Sequence, residues 1–322
     1  MVLKMNLTKL NSIKKELREL RATPGSFSKL NKLFNCPAQY KKQYIDKEKT
    51  VFIRGEKQQV VGSFLHKVLE ECVKKGFIIG YNNVDFLLQW AETLKKEKLL
   101  SEDIEYANTF KEQTEAILNR VFFLIGEHGF KPYPELWVSN WIDQTPEQTY
   151  GKWTGGKGNL IDPNKFWQGS VDLLLIDKNG WGSRGVIIDY KSYKSGSHKM
   201  DKYSNLQLLL YAYLVFIGFP NLESIKYGTA VLPDANIETD GVLLRTECDK
   251  YEEIIFEFLN SFINKLGDCK VDGFFPHTKN DFCKYCNWKL ACSKNARFQC
   301  YNTKGLECGK NVELCTKNCI NL

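Results

Sequence analysis

Two acidic residues and a lysine stand at the ends of two predicted strands joined by a turn. Asp172 closes Gly169-Ser170-Val171-Asp172, and Asp189 and Lys191 lie in Ile188-Asp189-Tyr190-Lys191. Carboxylates placed this way hold a hard cation through oxygen. A lysine two residues on supplies a fixed positive charge beside an attacking water or a phosphate. That combination is what metal-dependent phosphodiester hydrolysis needs. Three more features share one chain order with this pair: Gly62-x-x-x-His66, Glu135 and Gln207-x-x-x-Tyr211. Singly, each has a plainer reading. A helix histidine is more often a satisfied core or surface residue, Asp172 could face solvent, and Gln207 and Tyr211 could be one polar contact a helical turn apart. Jointly, with short separations, they point to a site.

The elements that must position these residues follow from hydrophobic period. Leucines at 7, 10, 17 and 20 predict an amphipathic helix over Met5–Arg21, ended by Ala22-Thr23-Pro24-Gly25. Ser26 or Ser28 can cap a second helix through Leu30, Leu33 and Tyr40. Phe64, Leu65, Val68, Leu69 and Cys72 predict a helix over Gly62–Lys75 that carries His66. Helices over Asp85–Lys98 and Asp103–Gly126 follow. The period then shortens to two, predicting strands over Tyr133–Trp141, Gln168–Asp177 and Gly185–Tyr190, with a loop over Gln144–Asn164. An apolar helix over Ser204–Phe216, a strand over Ser224–Leu232, a hairpin partner at Gly241–Arg245 and a helix over Tyr251–Leu266 complete the pattern. This order predicts an α/β fold: a mixed central sheet flanked by helices, with an N-terminal helical layer.

Composition bounds the class. The chain has 322 residues, 43% hydrophobic and 26% charged, with a net charge of +7. A mild basic excess is compatible with a polyanionic partner. No run is apolar enough to span a bilayer, and the first twenty residues lack a secretory h-region, so an intracellular location is expected. Of eleven cysteines, seven fall between Cys283 and Cys319. Without a secretory signal, metal or cluster ligation is a stronger reading than disulfides. Cys283-x2-Cys286-x5-Cys292 is a trio in need of a fourth ligand, for which Cys36 in Phe34-Asn35-Cys36-Pro37 is the candidate. Zinc and an iron–sulfur cluster both accept four thiolates. Cys300, Cys308, Cys315 and Cys319 are either a small zinc knuckle or spare thiols.

The motifs at Gly62…His66, Gly169…Asp172, Asp189-Tyr190-Lys191 and Gln207…Tyr211 resemble the RecB-like branch of the PD-(D/E)XK nuclease superfamily over roughly Ser26 to Cys292. The resemblance implies a restriction-endonuclease-like fold with a cysteine-rich C-terminal staple. It implies Asp172 and Asp189 as metal-binding carboxylates for Mg²⁺ or Mn²⁺, Lys191 as the catalytic lysine and His66 as an extra metal ligand. Gln207 and Tyr211 would orient the site and the DNA backbone. Glu135 stands where the family often carries a strand glutamate, separated from Asp172 by the 144–164 loop. Cys36 with the C-terminal trio resembles the iron–sulfur staple of AddB-like and CRISPR-associated RecB-like nucleases, which implies a structural 4Fe–4S cluster.

The expected organisation is a first helix over 1–25, a nuclease domain over 26–295 and a cysteine-rich tail over 296–322. The expected activity is exonucleolytic hydrolysis of single-stranded DNA or duplex ends in repair, recombination or phage DNA processing. A catalytically silent DNA-binding subunit of a recombination or CRISPR-adaptation complex is the alternative, and a zinc-binding interaction protein built on the tail is a third. No Gly-x-x-x-x-Gly-Lys-Ser/Thr loop is present in this sequence, which suggests a stand-alone nuclease or a detachable subunit, with a helicase as an expected partner. Trp153, Trp167 and Tyr193 could stack on bases, and Lys194, His198, Lys199 and Lys202 could hold phosphates.

Overall fold

The structure, a computed structural model, describes residues 7–20, 26–48, 57–76, 83–97, 99–140, 150–152, 167–177, 183–192 and 204–278, together with Cys283, Cys286 and Trp288. Among the described residues, seven α-helices come first: α1 (Leu7–Glu19), α2 (Phe27–Asn35), α3 (Pro37–Tyr40), α4 (Lys57–Lys75), α5 (Asn83–Glu97), α6 (Ser101–Asn108) and α7 (Lys111–Glu127). Strands β1 (Phe130–Asn140), β2 (Tyr150–Lys152), β3 (Trp167–Asp177) and β4 (Arg184–Lys191) follow, then helix α8 (Ser204–Gly218), strands β5 (Ser224–Val231) and β6 (Asn236–Leu244), and helix α9 (Cys248–Val271). The six strands form one mixed sheet in the order β2-β1-β3-β4-β5-β6. Among the described residues only β4 and β5 run parallel, and α8 lies between them in the chain, as the crossover of such a pair requires.

Two hydrophobic cores cover the two faces. Val171, Leu174, Ile187, Ile225 and Leu243 join the core with α1, α2, α8 and α9. Leu173, Leu175, Ile188 and Ala230 join the other, with α4, α5, α6 and α7. Along β4 the faces alternate as a strand must, with Ile187 on one side and Ile188 and Tyr190 on the other. Along β1 and β3 they do not. Val171 and Leu174 lie on one face three residues apart, and so do Tyr133 and Leu136. The phase therefore shifts at Asp172 and at Glu135. Glu135 has φ +47°, a left-handed conformation uncommon for a side-chain-bearing residue. The ladder itself stays in register, with Pro134 opposite Leu173 and Leu136 opposite Val171. Pro132 and Pro134 fall where β3 is the described neighbour of β1, so their missing N–H groups cost no second ladder.

Several expectations change. The predicted helix through Tyr40 breaks at Cys36, which is extended (φ −158°, ψ 98°) because the ring of Pro37 disfavours the helical region in the preceding residue. A π-helical turn over Lys41–Ile45 then follows α3. The predicted helix over 103–126 is two helices, with a break where the Thr109 hydroxyl bonds the Tyr106 carbonyl at 2.7 Å. The 144–164 loop contains the short strand β2, and β6 begins five residues before its expected start, with a bulge opposite Tyr227 and Gly228. Among the described residues, no helix is long and apolar enough to cross a membrane.

Candidate metal-dependent active site

The site begins where two strands part. The β3–β4 ladder runs from Ile176 opposite Gly185 to Leu173 opposite Ile188 and ends there. The next residues along are Asp172 and Asp189. β4 continues on its other side, paired with β5 as far as Lys191 opposite Val231. The backbone groups of Tyr190 that would have met β3 are taken by side chains instead. Its N–H donates to Asp172 Oδ2 at 2.8 Å, and its carbonyl oxygen lies 2.9 Å from His66 Nε2. Burying these groups without partners would be costly, so the parting of the strands itself calls for a carboxylate and an imidazole at these places.

Helix α4 delivers His66. Val61, Phe64, Leu65, Val68, Leu69 and Cys72 face the core at helical spacing, which leaves His66 at the rim beside the gap. Gly62 lets the helix approach: a Cβ there would lie 2.8 Å from Ser192 Oγ, just beyond β4. His66 Nδ1 is 3.6 Å from Asp172 Oδ2. Burial alone would pull the imidazole down. The hydrogen bond and charge of Asp172, then the charges of Asp189 and Glu135, outweigh it and hold His66 above its ordinary value.

Glu135 lies across the β1–β3 ladder from Asp172. One ligand atom each from His66, Glu135 and Asp172 fall within 4.8 Å of one another. Burial and then the charge of Asp172 push the Glu135 carboxyl up, while a 2.7 Å hydrogen bond from Ser170 Oγ to its Oε2 acts the other way. Asp189, only 7% exposed, is pushed up mainly by burial. Its Oδ2 lies 2.5 Å from Lys191 Nζ. The set expected to hold a cation, His66, Asp172 and Asp189, thus shares one gap. Glu135 completes the tight trio with His66 and Asp172, and Asp189 is engaged with the lysine.

Helix α8 closes the other side. Gln207 Nε2 donates to the Tyr211 hydroxyl at 3.1 Å, and burial pushes that hydroxyl up to about 12. The Tyr211 ring lies directly on the backbone at Gly169, where a Cβ would stand 2.5 Å from its Cε1. Arg245 grips the far end of α8 through the carbonyls of Phe216 and Phe219 at 2.8 and 2.7 Å, satisfying groups the helix end leaves open.

A cavity of about 490 Å³ joins these groups to a fourth wall made of Ser26, Ser28, Lys29 and Tyr44. Ser26 caps α2 through Lys29 N at 3.3 Å, and its hydroxyl is 2.9 Å from that of Ser28. Lys29 is only 7% exposed, with Nζ 5.1 Å from the centre of the Tyr44 ring. Burial, with a small push from Lys47, lowers its amine to about 8. Phe27 and Phe34 pack on Phe258 of α9, which seats this helix against the domain. Lys29, Tyr44 and Ser170 are site residues that the sequence does not single out. Their types carry no signal, since lysine and serine ordinarily read as surface.

Cys36 sits at the break between α2 and α3, next to a hydrogen bond from Ala38 N to Pro276 O that ties the returning C-terminal segment to the N-terminal helices. The Cys286 thiol is pushed up mainly by burial, against a backbone hydrogen bond from Trp288 that acts the other way. Cys292, Cys300, Cys308, Cys315 and Cys319 lie outside the described residues, as do Trp153, Tyr193, Lys194, His198, Lys199, Lys202 and the side chain of Trp167.

Comparison with known proteins agrees with this geometry. A family model for the PD-(D/E)XK nuclease superfamily matches residues 24–293. The chain is 34% identical over 223 residues to one subunit of the ATP-dependent helicase/deoxyribonuclease of Clostridium botulinum strain Loch Maree, and 33% identical over 219 residues to the corresponding subunit of strain Okra. Each match covers 62% of this chain but 18% of the relative, so the chain spans about a fifth of those proteins. A sheet that parts to expose an Asp and an Asp-x-Lys, inside a match spanning most of its length, identifies the chain as a member of the PD-(D/E)XK nuclease superfamily.

Proposed function

We propose that this protein is a metal-dependent deoxyribonuclease that hydrolyses phosphodiester bonds in DNA, acting as an exonuclease on single strands or duplex ends. The observation that carries the reading is the trio of His66, Glu135 and Asp172 donor atoms within 4.8 Å, beside the Asp189–Lys191 pair in the same gap. Two carboxylates and one imidazole fit Mg²⁺ or Mn²⁺, the nitrogen favouring the latter. A divalent cation held there would polarise a phosphate and acidify its water. The chain's own residues do the rest. Lys191, fixed by Asp189, holds positive charge over the reacting phosphate and orients the attacking water. Tyr211, backed by Gln207, forms the wall against which the substrate backbone rests. Lys29 and Ser28 face the same space and suit a neighbouring phosphate.

The nuclease domain is taken to run over 26–295, with 296–322 as a distinct tail. A helicase partner accords with the names of the relatives, and a recombination role in an intracellular setting belongs to the same reading. End-labelled single- and double-stranded DNA, digested with Mg²⁺ or Mn²⁺, tests the activity. Progressive shortening from one end is expected. Internal cuts would refute the exonuclease part, and no cleavage with either ion would favour the silent subunit.

The cysteines support a second feature, a 4Fe–4S staple on Cys36, Cys283, Cys286 and Cys292. The Ala38 N–H donates to Pro276 O at 3.2 Å, which brings the returning C-terminal segment to the turn after Cys36, and a bridge from residue 36 to the 283–292 segment would close a long loop and remove unfolded-state entropy. Brown protein that bleaches in the Cys36→Ser variant is expected. Colourless anaerobic protein with stoichiometric zinc would replace the cluster with zinc.

A further inference from the structure

We infer that Ser170 is a positioning residue of the metal centre, fixing Glu135 as its third protein donor. The inference rests on reading the His66–Glu135–Asp172 trio as that centre. Glutamate is a poor fixed ligand unless something holds it, because its side chain turns about three torsions. Glu135 adds a difficulty of its own, since its left-handed backbone breaks the face alternation of β1 and removes the ordinary strand guide to where its side chain goes. Ser170 supplies the missing restraint. Its ladder partner is Trp137, and Glu135 lies two residues before that partner, so the 2.7 Å bond runs along the diagonal of the β1–β3 pair. One carboxylate oxygen is held from the side of β3, leaving the other for a cation.

The restraint belongs to the hydroxyl and not to the size of the side chain. Ser170 sits between Gly169, which must stay bare to admit Tyr211, and Val171, which is buried in the core. Its own side chain is half-buried in the cavity wall, where alanine fits with little disturbance. Hydrogen-bonded support of this kind behind a ligating group is ordinarily worth about 10–100-fold in metal affinity.

The test is Mn²⁺ binding to the full chain without DNA, followed by electron paramagnetic resonance of the free ion. Ser170→Ala is expected to weaken binding by about tenfold or more, and Ser170→Thr, which keeps the hydroxyl, to restore it. In a Glu135→Ala background, Ser170→Ala should cost nothing further, because the two residues act as one unit. Binding by Ser170→Ala within a factor of about two of wild type would overturn the inference, and so would an equal loss in the Glu135→Ala background. A wild-type chain with no Mn²⁺ site that Asp172→Asn removes would overturn the metal centre itself.

Discussion

His66 Nε2 lies 2.9 Å from the carbonyl oxygen of Tyr190, a residue 124 positions further along the chain. The contact puts an imidazole at the mouth of the parted strands, beside Asp172. In the metal-free protein the acidic groups around His66 hold it above its usual value. An imidazolium must lose its proton to ligate, so Mn²⁺ affinity should climb as pH rises through the region above about 6.5 and then level off. Titration calorimetry in buffers of different ionisation enthalpy should record proton release on binding near neutral pH. His66→Ala should bind more weakly and without the pH dependence. Wild-type binding that is flat across neutral pH and equal to that of His66→Ala would argue against ligation by His66.

On the proposed reading, Asp189 serves the reaction at a cost in stability. Its folded pKa is raised mainly by burial. A carboxyl so raised is stabilised when protonated, and its contribution is lost as pH rises through the folded value. Asp189→Asn should therefore melt higher than wild type at neutral pH without metal, while cleavage falls by about a hundredfold or more. Lower melting together with retained cleavage would remove Asp189 from the site.

Gly169 and Tyr211 should behave as one unit. A methyl at 169 would sit inside the ring edge of Tyr211, so Gly169→Ala should cost about 1–3 kcal/mol by overpacking and reduce cleavage as the ring moves away. Much of the stability loss should return when Tyr211→Leu is combined with it. Chemical denaturation of the four corners of that cycle reads the coupling directly. Strictly additive losses would mean that the ring is free to move aside.

Lys29 should make DNA affinity depend on pH. Its amine is lowered to about 8, so it is charged at neutral pH and increasingly uncharged above that value. A phosphate beside it favours the ammonium, hence binding takes up a proton above about pH 8 and weakens as pH rises. Anisotropy titrations of single-stranded DNA with metal chelated should show that fall, and Lys29→Met should abolish it along with part of the affinity at neutral pH. An unchanged pH profile in Lys29→Met would place the titration elsewhere.

Much of this site is legible in the residue order, and for identifiable reasons. Asp189 and Lys191 close a strand whose period shows in the sequence, Asp172 lies within its apolar neighbour, His66 sits on a helix with apolar spacing, and Gln207-x-x-x-Tyr211 sits on one that is apolar nearly throughout. The roles of Gly62 and Gly169 emerge only with the fold, because each is explained by a neighbour, Ser192 or Tyr211, that is distant in sequence. Ser170 and Lys29 are invisible for the same reason: one acts across a diagonal of the sheet, the other is a lysine buried against the grain of its type. The break at Cys36 is within reach, since Pro37 announces it. The shift in β1 and β3 is not, because alternation read along one strand gives no warning of a partner strand that slips phase at the same level.

That shared shift also sets which parts of the chain hold the two carboxylates at their spacing. Glu135 and Asp172 are separated by the whole 141–166 connection, yet the β1–β3 ladder grips the strands on both sides of them, at Pro134–Leu173 and at Leu136–Val171. Their spacing is thus a property of the sheet and does not depend on the length of chain that joins the strands. Within that connection, β2 adds a further ladder on β1 at Leu136–Val138. A change in the length of chain between Asn140 and Trp167 can therefore leave the distance from Glu135 to Asp172 as it is, because the β1–β3 ladder brackets both residues.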